Sequence, residues 1–256
     1  MKPLPSLLAP VLLFLFVLPA FAADYKEIEF KSEDGLKITA DLYKKHKKDS
    51  KPFIVFCHQA NWSRGEYREI APKLNKLGFN CMAIDQRSGG AINGVNNETA
   101  ARAKAAGKPT NYPDARQDII AALKYARKNY AKGKLILWGS SYSSALVLQI
   151  AGSEPKLVDG VLSFAPGEYF GRFGKPGDWV TQSASKIACP AFITSAQREG
   201  PQWKAIYAAI PGNKKMSFLP TTEGQHGSRA LWEKFPDNDQ YWKAVKAFLG
   251  RHFKTK

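Results

Sequence analysis

Three residues have the types and the chain order needed for nucleophilic catalysis: Ser141, Glu199 and His226. A serine hydroxyl attacks poorly at neutral pH unless a base removes its proton, and histidine is suited to be that base. A carboxylate can then fix the histidine tautomer and stabilise the imidazolium that forms. We therefore predict a Ser-His-acid triad of these residues, with Glu168 as the alternative acid.

Ser141 lies between an apolar run short enough to be a buried strand and a second apolar run compatible with a helix. The chain must turn sharply there, as in a nucleophile elbow, where the serine hydroxyl stands above the sheet. Gly139 would let strand and helix approach closely, and Ser143 stands where a second glycine is usual. Taken alone this pattern is weak, because serine also caps helices.

Apolar strand-like runs and amphipathic segments alternate along the chain and must position these residues. A hairpin of alternating residues is predicted, followed by six buried strands, at 25–31, 36–43, 53–57, 79–84, 134–139, 158–164, 190–195 and 215–219. Helices are predicted at 67–77, 98–106, from 113, after the elbow to 151, at 203–210 and from 237. The segments 86–112 and 166–187 are predicted to be mostly irregular. Such alternation predicts an α/β protein with a mostly parallel sheet covered on both faces.

The triad candidates each follow a predicted strand, which is where ligands bind in an open α/β sheet. The negative tetrahedral intermediate of acyl transfer needs hydrogen-bond donors that are already in place. For this oxyanion hole we predict the backbone N–H of Tyr142 and that of Ala60 or Gln59. The side chain of Gln59 is an additional candidate donor.

These motifs resemble those of the α/β-hydrolases, above all the single-domain members similar to dienelactone hydrolases and carboxylesterases. Residues 139–143 match the Gly-x-Ser-x-Gly elbow, 57–60 the His-Gly-x oxyanion segment and 225–227 the histidine loop. The resemblance covers residues 24–253 and implies an eight-stranded, mostly parallel sheet with helices on both faces and no large cap domain. It implies an acyl-enzyme on Ser141.

The first residues predict a secretory signal peptide. An apolar run at 7–18 follows one lysine, and Ala20 and Ala22 form a cleavage pattern. We expect cleavage after Ala22, a periplasmic or secreted domain over 23–256, and no transmembrane segment afterwards. An uncleaved membrane anchor is the alternative.

The chain of 256 residues has a formal net charge of +16. Such a charge attracts anionic partners over long range. Because the lysines are scattered, we predict no specific nucleic-acid site, and an attraction to anionic envelope polymers instead.

No ligand-spaced His/Cys cluster and no nucleotide-binding motif is found, so neither a metal nor an organic cofactor is predicted. The three cysteines, Cys57, Cys81 and Cys189, are predicted core residues rather than a disulfide framework.

The functional prediction is a carboxylesterase that acts on small or medium esters. An acyltransferase or peptidase with the same triad is one alternative. A catalytically silent, envelope-binding homologue is another, and its support is that Gln59 and Ser143 stand where glycine is usual. The fold alone does not choose between them, because this scaffold carries many functions.

Overall fold

The computed structural model describes residues 24–255. The predicted signal peptide and its cleavage site lie outside the described residues. Among residues 24–255, none of the helices could span a membrane. The three cysteines are all free, with Cys57 and Cys81 buried and Cys189 partly buried.

A central sheet of eight strands confirms the predicted architecture. In chain order the strands are β1 (Lys26–Lys31), β2 (Lys37–Tyr43), β3 (Phe53–Cys57), β4 (Asn80–Ile84), β5 (Ala91–Ile92), β6 (Val95–Asn96), β7 (Leu135–Ser140), β8 (Gly160–Phe164), β9 (Ala191–Thr194) and β10 (Lys215–Phe218). The large sheet has the order β1-β2-β4-β3-β7-β8-β9-β10, and β5 and β6 form a separate hairpin. Only the pairs β1/β2 and β2/β4 of the large sheet are antiparallel. The predicted hairpin therefore lies at one sheet edge.

Seven α-helices accompany the strands: α1 (Ile70–Lys76), α2 (Glu98–Ala105), α3 (Arg116–Asn129), α4 (Tyr142–Ser153), α5 (Trp179–Ala184), α6 (Gly200–Ala209) and α7 (Asn238–His252), counted over the residues described. Successive residues of β3 enter different cores, because side chains alternate across a strand. Val55 joins the core that contains residues of α3, α4, α5 and α6. Phe56 joins the core that contains α1 and α7. Helices thus cover both faces of the sheet.

Two local predictions differ from the structure. The helix predicted from residue 67 begins at Ile70, because Tyr67 belongs to a separate 3-10 turn. The segment 166–187, predicted to be irregular, contains α5. The carboxylate of Glu168 accepts hydrogen bonds from the backbone N–H groups of Val180 and Thr181 at 2.9 and 2.8 Å. A distant side chain therefore caps this short helix, and local periodicity does not reveal such a cap.

A buried ion pair anchors the long segment that follows β4. Arg87 is fully buried and contacts Asp118 and Asp34 at 2.8 and 3.0 Å. The hydrogen bond from Arg87 holds the pKa of Asp34 below its usual value. These contacts tie the segment to α3 and to the β1–β2 turn.

Candidate active site

The turn between β7 and α4 has the geometry of a nucleophile elbow. Ser141 has φ 56° and ψ −123°, a strained conformation for a residue with a side chain. Its backbone N–H donates to the carbonyl of Phe164 at 2.8 Å. A Cβ atom at Gly139 would overlap the carbonyl oxygen of Ser143. Only glycine therefore permits this close approach of strand and helix.

The structure brings the three predicted triad residues together. His226 Nε2 lies 2.8 Å from Ser141 Oγ, and His226 Nδ1 lies 2.7 Å from Glu199 Oε1. The side chains of His226 and Glu199 are 29% and 12% exposed. The serine, the ring and the carboxylate thus form one continuous hydrogen-bond chain that solvent reaches only in part.

The alternative acid, Glu168, is engaged elsewhere. Its Oε1 accepts from both the N–H and the hydroxyl of Thr181, each at 2.8 Å, and its Oε2 accepts from the N–H of Val180. Its carboxylate caps α5, whereas Glu199 is the carboxylate in contact with His226.

The structure corrects one of the predicted oxyanion-hole donors. The backbone N–H of Gln59 donates to Glu66 Oε2 at 2.8 Å, so it is not available to a substrate. Within the described part of the chain, no residue accepts a hydrogen bond from the N–H of Ala60 or of Tyr142. These two groups remain as the backbone donors that a developing oxyanion could use.

The family follows from comparison with known proteins. A family model described as "Serine aminopeptidase, S33" matches residues 48–189, which is more than half of the chain. The chain belongs to this family of α/β-hydrolases. The matched region of this S33-family hydrolase includes the oxyanion segment and the elbow, and the predicted resemblance is confirmed.

Solved structures with the same fold include esterases and a dienelactone hydrolase. The esterase Pf2001 from Pyrococcus furiosus is 21% identical, with a TM-score of 0.67 over 90% of this chain and 93% of that one. A dienelactone hydrolase from Anabaena variabilis is 14% identical, with a TM-score of 0.67 over 90% and 100% of the two chains. A thermostable carboxyl esterase from Bacillus coagulans is 13% identical, with a TM-score of 0.68 over 90% and 99%. At these identities the likeness shows the fold.

A thiohydrolase of Arthrinium phaeospermum is a relative by sequence. It is 29% identical over 153 residues, which make up 59% of this chain. The match spans 46% of the relative's own length, so this chain corresponds to about half of that protein.

In the S33-family hydrolase, Ser143 stands in place of the second glycine of the elbow, and its hydroxyl makes two hydrogen bonds. Its Oγ donates to the carbonyl of His58 at 2.6 Å and accepts from Gln86 Nε2 at 2.7 Å. Burial lowers the pKa of His58 to about 4, so the ring is neutral at physiological pH. Its Nδ1 then donates to the carbonyl of Gln59 at 2.8 Å, while Nε2 accepts from the N–H of Gln86. The elbow and the oxyanion segment are therefore tied together directly.

Glu66 is a buried titratable residue beside this site that no sequence motif indicates. It is fully buried. Its Oε2 accepts a hydrogen bond from the N–H of Gln59, and its Oε1 accepts one from Ser140 Oγ at 2.7 Å. Burial raises its pKa to about 7. In the sequence it looks like its partly exposed neighbour Glu69, because both belong to a polar stretch before α1. Only its three-dimensional environment distinguishes it.

A cleft of about 370 Å³ borders the histidine loop and is lined by polar residues that include Arg198, Glu223, His226 and Arg229. Within residues 24–255, no group of three or more His, Cys, Asp or Glu side chains is arranged to hold a metal ion.

Proposed function

We propose that this S33-family hydrolase is a serine esterase that works through an acyl-enzyme on Ser141. The observation that carries the proposal is the hydrogen-bond chain from Ser141 Oγ through His226 to Glu199. As Ser141 Oγ attacks the ester carbonyl, His226 Nε2 takes its proton. Glu199 accepts the hydrogen bond from Nδ1–H and stabilises the imidazolium.

The backbone donors then act on the tetrahedral intermediate. The N–H groups of Tyr142 and Ala60 donate to its oxyanion, and Tyr142 lies in the first turn of α4, where the helix dipole favours negative charge. His226 returns the proton to the leaving alkoxide, which departs as the alcohol. A water molecule next attacks the acyl-enzyme while His226 takes its proton. His226 then gives this proton to Ser141 Oγ as the bond from Oγ to the acyl carbon breaks, which releases the acid and restores the serine hydroxyl.

Labelling with a fluorophosphonate probe tests this proposal, because such probes react with a serine that its neighbours have activated. We expect a stoichiometric adduct that peptide mapping assigns to Ser141. A folded protein that forms no adduct would support the silent envelope-binding alternative. An adduct on another serine would contradict the assigned nucleophile.

Peptide hydrolysis is the second candidate activity, and the description of the family as a serine aminopeptidase favours it. The thiohydrolase relative similarly makes thioesters a candidate class of substrate. Comparison of kcat/KM for a p-nitrophenyl ester, a phenyl thioester and an amino-acid p-nitroanilide separates the three. We expect the oxygen ester to have the highest value. A higher value for the anilide would assign the chain to the peptidases.

We also propose that the hydrolase is exported, with the leader removed after Ala22, because the apolar run and the cleavage pattern are typical of signal peptides. N-terminal sequencing of the protein recovered from a bacterial periplasm is expected to begin at Ala23. A chain that retains its first residues would favour the membrane-anchor alternative.

A further inference from the structure

Glu66 contacts two of the segments that carry the proposed site and reaches the third through one hydroxyl. We propose that Glu66 is a positioning residue, whose buried carboxylate holds the oxyanion segment, the elbow and the histidine loop in their catalytic arrangement. This inference rests on the proposed esterase function. Glu66 itself does not touch the reacting atoms.

The first contact is with the oxyanion segment. The peptide unit between His58 and Gln59 is held at both ends, since Glu66 Oε2 accepts its N–H and Ser143 Oγ donates to its carbonyl. In the next peptide unit, the carbonyl of Gln59 accepts from His58 Nδ1. A trans peptide directs its N–H opposite to its carbonyl, so this bond also sets the direction of the Ala60 N–H. Glu66 thus holds the peptide unit directly before the one that carries the Ala60 N–H, which is a proposed oxyanion donor.

The second contact is with the elbow and the histidine loop. Glu66 Oε1 accepts the hydroxyl of Ser140, the residue immediately before Ser141, at 2.7 Å. Ser140 Oγ in turn accepts the backbone N–H of Ser228, two residues after His226, at 2.8 Å. One carboxylate and one hydroxyl thus connect the strand end that carries the nucleophile to the loop that carries the base.

The ionised form of Glu66 suits this role. A carboxylate accepts stronger hydrogen bonds than a neutral carboxyl group, and these bonds offset part of the cost of burying its charge. Arg229, three residues after His226, attracts the charge, and the other titratable groups near it, Cys57 and Tyr67, stay neutral because burial raises their pKa. Because the pKa of Glu66 lies at about 7, its bonds weaken as pH falls through neutrality.

The test is the Glu66→Gln variant assayed on p-nitrophenyl acetate. The amide keeps the volume but presents an N–H₂ group either to Ser140 Oγ or to the N–H of Gln59, so it accepts only one of the two bonds. We expect kcat to fall by about tenfold at alkaline pH, less than for the loss of an oxyanion donor itself, with little change in KM. As pH falls through about 7, wild-type Glu66 becomes protonated and the two kcat values converge.

Two further variants complete the test. Glu69→Gln changes a glutamate of the same stretch that is 39% exposed, and it is expected to keep the wild-type kcat and pH profile. Ser140→Ala removes a hydrogen bond that favours ionised Glu66, so the acid limb of kcat is expected to shift to higher pH. If Glu66→Gln does not fold, the pH profile of Ser140→Ala tests the positioning role of Glu66 by itself.

The outcomes separate the inference from the function on which it rests. If wild-type hydrolysis depends on Ser141 while Glu66→Gln and Ser140→Ala keep the wild-type kcat and acid limb, the positioning role is overturned and the esterase stands. A constant tenfold loss at every pH in Glu66→Gln would also contradict it, because it would indicate general loosening. If the wild type shows no hydrolysis that depends on Ser141, the proposed function and the inference both fail.

Discussion

Ser141→Ala is expected to lower kcat for ester hydrolysis by about 10³-fold or more, because no nucleophile remains to form the acyl-enzyme. Residual turnover above the uncatalysed rate would come from the oxyanion donors and from substrate binding. The fold is expected to persist, since the side chain contributes only its contact with His226, while the N–H of Ser141 still donates to Phe164. The measurement is kcat on p-nitrophenyl acetate, together with a thermal unfolding curve.

Ser185→Ala is the matched control for this variant. Ser185 is an exposed serine at the end of α5, and its hydroxyl donates to the carbonyl of Gln182 at 2.8 Å. Its loss is expected to leave kcat at the wild-type value. Full activity in Ser141→Ala would contradict the assigned nucleophile, and with it the acyl-enzyme.

Glu199→Gln is expected to lower kcat by about 10²- to 10⁴-fold. The amide can present an N–H₂ donor to His226 Nδ1, which favours the tautomer with its proton on Nε2 and leaves Ser141 without a base. It also removes the negative charge that stabilises the imidazolium during attack. The variant is compared with the wild type at one pH, with the substrate used for Ser141→Ala.

Glu168→Gln separates this effect from the loss of any nearby carboxylate. Glu168 caps α5, so its amide variant is expected to lower the free energy of unfolding by about 1 kcal/mol while leaving kcat near the wild-type value. A strong loss of kcat in Glu168→Gln, with none in Glu199→Gln, would move the acid to Glu168.

Local sequence patterns were sufficient to predict the strand framework and the candidate nucleophile. An apolar run such as β7 has few alternatives to a buried strand, and the small residues around Ser141 permit the tight turn into α4. These signals are local, so they can be read along the chain. The serine, the acid and the histidine follow β7, β9 and β10, and their proximity could be predicted because parallel strands place their carboxyl ends at one edge.

Tertiary structure alone decided which groups meet at that edge. Glu199 and Glu168 both follow strands, and only the paths of their loops bring Glu199 to His226 and Glu168 to α5. The occupation of the Gln59 N–H by Glu66 likewise depends on a contact between separate segments. Burial and hydrogen bonding, which set the charge of Glu66, are properties of the folded surroundings. Residue type and spacing do not indicate burial or hydrogen bonding, because a glutamate in a polar stretch has the same local pattern whether it is exposed or buried.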